Sequence, residues 1–245
     1  PATRFAHTLK RANRMSVHWY AYPAPQEAAE ACARQIVLLL EEALSGRPRA
    51  TLAVSGGVTP RLLFEALARC VLPWERIHLF WVDERCVPPT DPQSNFRMAE
   101  EQLIHPAHIP HRNVHRIQGE LRPDDAAAHY SADIRAFFRL AAGELPHFDI
   151  IHLGIGGDGH TASLFPGEPL IEDRTGIAAA VYVEKMTQYR VTLLPGVLLA
   201  AKHNIVFATG ADKAGTIRAI LEDAYNPQIY PAQITSHHGR AVTWF

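Results

Sequence analysis

No excess of either charge marks this 245-residue sequence: 24 Lys and Arg stand against 25 Asp and Glu, for a net charge of −1. A nucleic-acid binder shows a basic surplus, and none is present. No apolar run approaches the ~20 residues needed to span a bilayer. Cysteine is scarce and odd in number, with Cys32, Cys70 and Cys86 scattered along the chain. That excludes a disulfide framework and a zinc pattern. The histidine-rich stretch His105–His115 lacks a paired i, i+4 face, so no metal site is drawn there. No G-x-S-x-G elbow supports a serine triad. These absences predict a soluble protein of a reducing, cytoplasmic compartment; a small-molecule substrate and a monomeric state are expected.

What is present is alternation. "ATLAVSGG", "RIHLFWVDE", "FDIIHLGIGG" and "KHNIVFATG" read as buried strands. Between and around them lie helical patterns. "PQEAAEACARQIVLLLEEAL" is amphipathic. "TPRLLFEALARC" has Thr59 in the N-cap position and Pro60 as its first helical residue. "NFRMAEEQLI", "DDAAAHYSADIRAFFRLAAG", with a glycine near its end, and "ADKAGTIRAILE" follow. Continuous apolar strands alternating with helices predict an α/β fold, an open and mostly parallel twisted sheet with helices on both faces. No repeat or long linker divides the chain. Residues 1–14, basic and without an acid, are set outside the fold, as upstream sequence before a start at Met15 rather than a targeting segment. Residues 15–245 form the single predicted domain.

Four stretches carry chemistry, and each lies just past the C-terminal end of a predicted strand, where open parallel sheets bind ligands. Ser55-Gly56-Gly57, running into Thr59, has the character of an anion cradle, with close-approaching N–H groups and a helix N-terminus. It is neither a P-loop nor a dinucleotide fingerprint, because no Gly-Lys-Ser/Thr follows and a third glycine is missing. Lys213 sits where a cation opposes the helix dipole unless an anion shares the site. Asp83, Glu84 and Arg85 crowd a strand end; Arg85 suits phosphate or carboxylate oxygens, whereas Glu84 reads as half of a local ion pair and Cys86 as packing. In "GIGGDGHTASLFPG", Gly156 and Gly157 precede Asp158 and His160. A free imidazole titrates near ~6.5 and can accept a proton from water, with Asp158 or another carboxylate orienting the ring.

Together "SGGVTPRLLFEAL", "WVDERCVPPTDPQSN", "LGIGGDGHTASLFPG", "FATGADKAGTIRAIL" and the closing "PAQ…WF" resemble the 6-phosphogluconolactonases, in this order and at comparable spacing, from about Met15 to Phe245. The resemblance implies a Rossmann-like fold of the sugar-phosphate isomerase/deaminase type. It implies hydrolysis of 6-phospho-D-glucono-1,5-lactone to 6-phosphogluconate in the oxidative pentose phosphate pathway, without metal or organic cofactor. It carries His160 over as general base, Ser55–Gly57 and Lys213 as phosphate contacts, and Arg85 as a substrate contact. Asp83, Thr59 and Arg190 join the substrate-binding set. One region departs: "EKMTQYRVTLLPGVLLAAKH" replaces a proline-rich stretch, which leaves the role of Lys185 open and puts Leu199 where an Asn is common. The amino-sugar phosphate isomerase/deaminases are the nearest rival. They carry a glutamate five residues beyond the histidine, and here that position is Phe165. A catalytically silent sugar-phosphate sensor is the other alternative.

Overall fold

The computed structural model describes residues 5–10 and 16–245. In chain order the strands and helices are β1 (Phe5–Lys10), β2 (Ser16–Ala21), α1 (Pro25–Ser45), β3 (Ala50–Val54), α2 (Val58–Ala68), β4 (Ile77–Trp81) and β5 (Asp83–Arg85). Then come α3 (Asn95–Ala99), β6 (Val114–His115), α4 (Pro123–Phe138), β7 (Ile150–Leu153), β8 (Ala178–Val183) and β9 (Gln188–Leu193). The last are α5 (Pro195–Ala200), β10 (His203–Val206), α6 (Ala214–Glu222), α7 (Gln233–His238) and β11 (Val242–Trp244).

The main sheet runs β1-β2-β11-β10-β7-β3-β4-β6 and is parallel from β2 to β6. Every residue of β3 and β7 is buried, as expected of central parallel strands covered on both faces. The α1 residues Cys32, Ile36, Leu40 and Leu44 recur at helical spacing and are all buried, giving the helix one core-facing stripe. After β3 the chain builds outward through β4 to β6; after β7 it builds the other way through β10 to β11. The order therefore reverses between β3 and β7, and the crevice at such a switch point lies over their C-terminal ends. Those ends lead into Ser55–Gly57 and into the Gly154–His160 loop.

Three expectations change. Six of the residues set outside the fold, Phe5–Lys10, pair antiparallel with β2 at the sheet edge; this pairing uses backbone groups, which a basic composition does not reveal. Met15, read as a start, lies outside the described residues. "RIHLFWVDE" is not one strand, because β4 ends at Trp81 and the chain crosses at Val82 into a second sheet of order β5-β9-β8, antiparallel throughout. A strand leaving its sheet exposes unpaired backbone groups. Here the buried Tyr130 hydroxyl takes both, accepting from Trp81 N at 2.8 Å and donating to Trp81 O at 2.6 Å. Finally, α4 stops at Phe138 rather than near Gly143, with Arg139 in the left-handed conformation at its end. Among the described residues no helix is long and apolar enough to cross a membrane.

Candidate active site

The loop after β7 is wound tightly around its histidine. Gly156 N donates to His160 O at 3.0 Å, Gly159 N to Gly156 O at 3.0 Å, and Thr161 Oγ1 to Gly154 O at 3.0 Å. His160 Nδ1 and Asp158 Oδ1 are 2.5 Å apart. A Cβ at Gly156 would overlap the Cε1 and Nδ1 atoms of His160 and come within 2.7 Å of Asp158 Oδ1, so the imidazole occupies the space of the missing side chain. Phe165 stacks on the imidazole, with centroids 4.2 Å apart. The hydrogen bond from His160, joined by one from Lys185, holds the Asp158 carboxyl well below the usual carboxylate range, against the opposing effect of burial. Lys185 Nζ lies 3.2 Å from Asp158 Oδ2, which gives the residue left open by the sequence a defined place. Of the carboxylates named in the sequence, Asp158 is the one on the imidazole.

Asp83, Glu84 and Arg85 divide into three roles. Buried Asp83 accepts from Ser163 Oγ at 2.7 Å and lies 3.9 Å from the Arg190 guanidinium. Among the described residues Glu84 makes no ion pair, contrary to the sequence reading. Its carboxylate accepts from the backbone N–H groups of Arg85 (2.8 Å), Asn95 (2.7 Å) and Phe96 (2.7 Å), and from Ser94 Oγ (3.1 Å). It therefore caps the start of α3 and ties it to β5, while burial pushes its pKa up. Arg85 donates to Gln93 O and sits directly opposite Arg190 in the β5–β9 register. Arg190 is buried, which lowers its pKa, with Asp83 opposing that effect. Its guanidinium lies 5.8 Å from the Phe165 centroid, so His160 and Arg190 share one aromatic neighbour. Cys86 is a free thiol pushed up to about 11 by burial, in keeping with a packing role.

At the β3 end, α2 starts at Val58 with Gly57 as N-cap (φ 118°) and no side-chain cap. The first N–H groups of α2 are thus left for an anion. Thr59 is not the N-cap; its hydroxyl instead meets that of Thr209 at 3.0 Å, joining the loops after β3 and β10. Ser55 is turned inward. Its N–H donates to His152 Nδ1 at 3.4 Å and its Oγ to His152 O at 3.1 Å, so its donors serve the β3–β7 contact and leave the cradle to Gly56, Gly57 and α2. Lys213 ends a 3₁₀ turn (Ala211–Lys213) leading into α6, half-buried and without an ion pair among the described residues. Thr216 Oγ1 on α6 donates to Gly157 O at 2.7 Å.

Side-chain hydrogen bonds thus link stretches far apart in sequence: β5 to the histidine loop through Asp83–Ser163, that loop to α6 through Gly157–Thr216, and β10 to α2 through Thr209–Thr59. A cavity of about 490 Å³ opens beside Gly57, with Arg61, Arg85, Asn95 and Arg97 in its wall. A larger one, about 700 Å³, lies past Thr209 and Gly210 among Trp19, Tyr22, Trp244 and Phe245. Its walls are mainly apolar, and neither cavity includes a residue of the Gly154–His160 loop. Reading the sequence missed Ser163 and Asn95. Ser163 lies within the quoted DGHTASLFP stretch, but its partner is Asp83 on another loop.

Comparison with known proteins agrees with this fold. The family model described as glucosamine-6-phosphate isomerases/6-phosphogluconolactonase matches residues 23–244. A 6-phosphogluconolactonase of Synechocystis sp. is 38% identical over 204 residues, 83% of this chain and 84% of its own length. One of Treponema pallidum is 39% identical over 202 residues, 81% of this chain and 83% of its own. The crystal structure of the 6-phosphogluconolactonase from Thermotoga maritima superposes with a TM-score of 0.80 at 28% identity, covering 94% of this chain and 97% of that one. The mostly parallel sheet is thus a fold shared with known proteins, and the chain belongs to the glucosamine-6-phosphate isomerase/6-phosphogluconolactonase family.

Proposed function

We propose that this chain hydrolyses 6-phospho-D-glucono-1,5-lactone to 6-phosphogluconate, the lactone-opening step of the oxidative pentose phosphate pathway, with His160 as general base. With Nδ1–H donated to Asp158, Nε2 is the nitrogen left to take a proton from water. The resulting hydroxide attacks the lactone carbonyl, and the C–O bond to the ring oxygen then breaks. His160 returns its proton to that oxygen, and the new carboxylic acid ionises in water. Base assistance of this kind contributes about 10²–10⁴-fold, which suits a substrate that opens unaided. Arg85, Arg190 and loop N–H groups are the candidates for holding the oxyanion. Gly56, Gly57, the N-terminus of α2 with Thr59, and Lys213 are the candidates for the phosphate. Binding at the phosphate holds the carbonyl against the attacking water.

The observation that carries this reading over the isomerase is Phe165. Where the rival family needs a ring-opening acid, this chain packs an aromatic ring against His160 at 4.2 Å. The three free cysteines support a reducing, cytoplasmic setting, and the enzyme is proposed to act on its small-molecule substrate as a monomer. The test compares wild type with His160→Ala on freshly made lactone, with spontaneous opening subtracted. Wild type is expected well above background and the variant near it. A variant as fast as wild type refutes the base. A wild type no faster than background removes the lactonase reading and moves attention to amino-sugar phosphates.

A further inference from the structure

We propose that Asn95, a residue outside the four chemistry-bearing loops, positions the anion cradle: its carboxamide fills the space a side chain at Gly56 would take and so fixes where the Gly56–Gly57 backbone meets phosphate. The inference rests on the lactonase reading and deepens it. Asn95 opens α3 and is 2% exposed. Two hydrogen bonds hold it. Its backbone N–H donates to Glu84 Oε1 at 2.7 Å, and its side-chain Nδ2 donates to Asp83 O at 2.9 Å. The second bond decides which way the amide faces, because only the nitrogen can donate to a carbonyl. Oδ1 is therefore turned to Gly56, where a Cβ would overlap Oδ1 and Cγ and come within 2.7 Å of the Asn95 Cβ.

That oxygen is buried and accepts no hydrogen bond among the described residues. An unsatisfied buried acceptor is unfavourable and rare in native proteins, so each one calls for a reason. Here the reason is position. Asn95 stands where the β5 end, the start of α3 and the β3–α2 glycines converge, and it lines the smaller cavity together with Gly57 and Arg85. Glu84 and Asp83 clamp it from one side, and Gly56 closes on it from the other. A shift of Asn95 is transmitted to the cradle without Asn95 touching the substrate.

Two variants test this. Asn95→Ala removes the filling group, and Asn95→Asp keeps its shape but sets a negative charge against the cradle and loses the donor to Asp83. Both are assayed for KM and kcat on the phosphorylated lactone, for the inhibition constant of inorganic phosphate, and for direct phosphate binding by calorimetry. Loss of binding energy common to ground and transition states raises KM while sparing kcat. KM and the phosphate constant are expected to rise together, by about tenfold or more in Asn95→Asp, with kcat within about twofold. If kcat falls while phosphate binding stays at the wild-type value, or if neither constant moves, the assignment is wrong. Should Asn95→Ala fail to fold, the isosteric Asn95→Asp carries the test; if neither folds, Asn95 is a folding residue and the assignment fails. A wild type that does not speed lactone opening removes the lactonase reading alone, since phosphate calorimetry still reports on Asn95.

Discussion

Gly156→Ala inserts a single methyl group, and the structure says where it goes. The new Cβ would overlap His160 Cε1 and Nδ1 and lie 2.7 Å from Asp158 Oδ1. Gly156 does not adopt the left-handed conformation, so alanine fits its backbone and the conflict falls on the imidazole and the carboxylate that holds it. The ring cannot slide freely away, because Phe165 stacks on it at 4.2 Å and Asp158 holds Nδ1 at 2.5 Å. A displacement of roughly 1 Å is enough to cost about a hundredfold, and full loss of a general base about 10²–10⁴-fold. The expected drop in kcat/KM is therefore about 10²–10⁴-fold, or about 2.7–5.5 kcal/mol of barrier. Overpacking costs about 1–3 kcal/mol of stability, so the variant is expected to fold with a lowered melting temperature. Gly154→Ala is the control: its Cβ meets nothing within 4 Å, and both rate and melting should stay at wild-type values. The assay is lactone opening with spontaneous hydrolysis subtracted, beside thermal unfolding of each variant. A folded Gly156→Ala protein with wild-type kcat/KM would refute the placement of the His160 ring and with it the geometry of the base.

Lys185→Ala removes the ammonium from Asp158, but that lysine side chain is 68% exposed. Such pairs contribute about 0.2–1 kcal/mol, so kcat/KM should fall by no more than about fivefold; a loss beyond about a hundredfold would make Lys185 a substrate contact instead. His152 gives a pH signature in stability. Burial pushes its imidazole down to about 3, whereas the unfolded chain titrates near ~6.5. Between these values the unfolded state binds a proton that the native state does not, so stability falls as pH drops from about 6.5 towards about 3, by up to about 1.4 kcal/mol per pH unit. His152→Gln is expected to flatten that slope in urea unfolding followed from pH about 6.5 to about 4.5; an unchanged slope would show that His152 is not held neutral by the fold.

The sequence by itself determined the layered α/β class, because continuous apolar runs and amphipathic segments report burial directly. It also determined the addresses of the chemistry. Glycine-rich or charged turns directly after buried strands must fall on one edge of a parallel sheet, and the DGHTASLFP stretch marked His160 without any coordinates. Only the tertiary structure decided among residues that look alike in one dimension. Gly154 and Gly156 are both glycines of one loop, yet only at Gly156 does an imidazole fill the Cβ position. Ser55 reads as a phosphate contact until its donors are seen to serve His152. Glu84 reads as half of an ion pair until three backbone N–H groups and a serine are found on it. Asp83 meets Ser163 across 80 positions of sequence, and the β5-β9-β8 sheet that sets Arg190 opposite Arg85 exists only once those strands pair. Periodicity and turn chemistry are local and can be read along the chain. The partner of a side chain across a crevice depends on sheet order and register, which many distant contacts decide together.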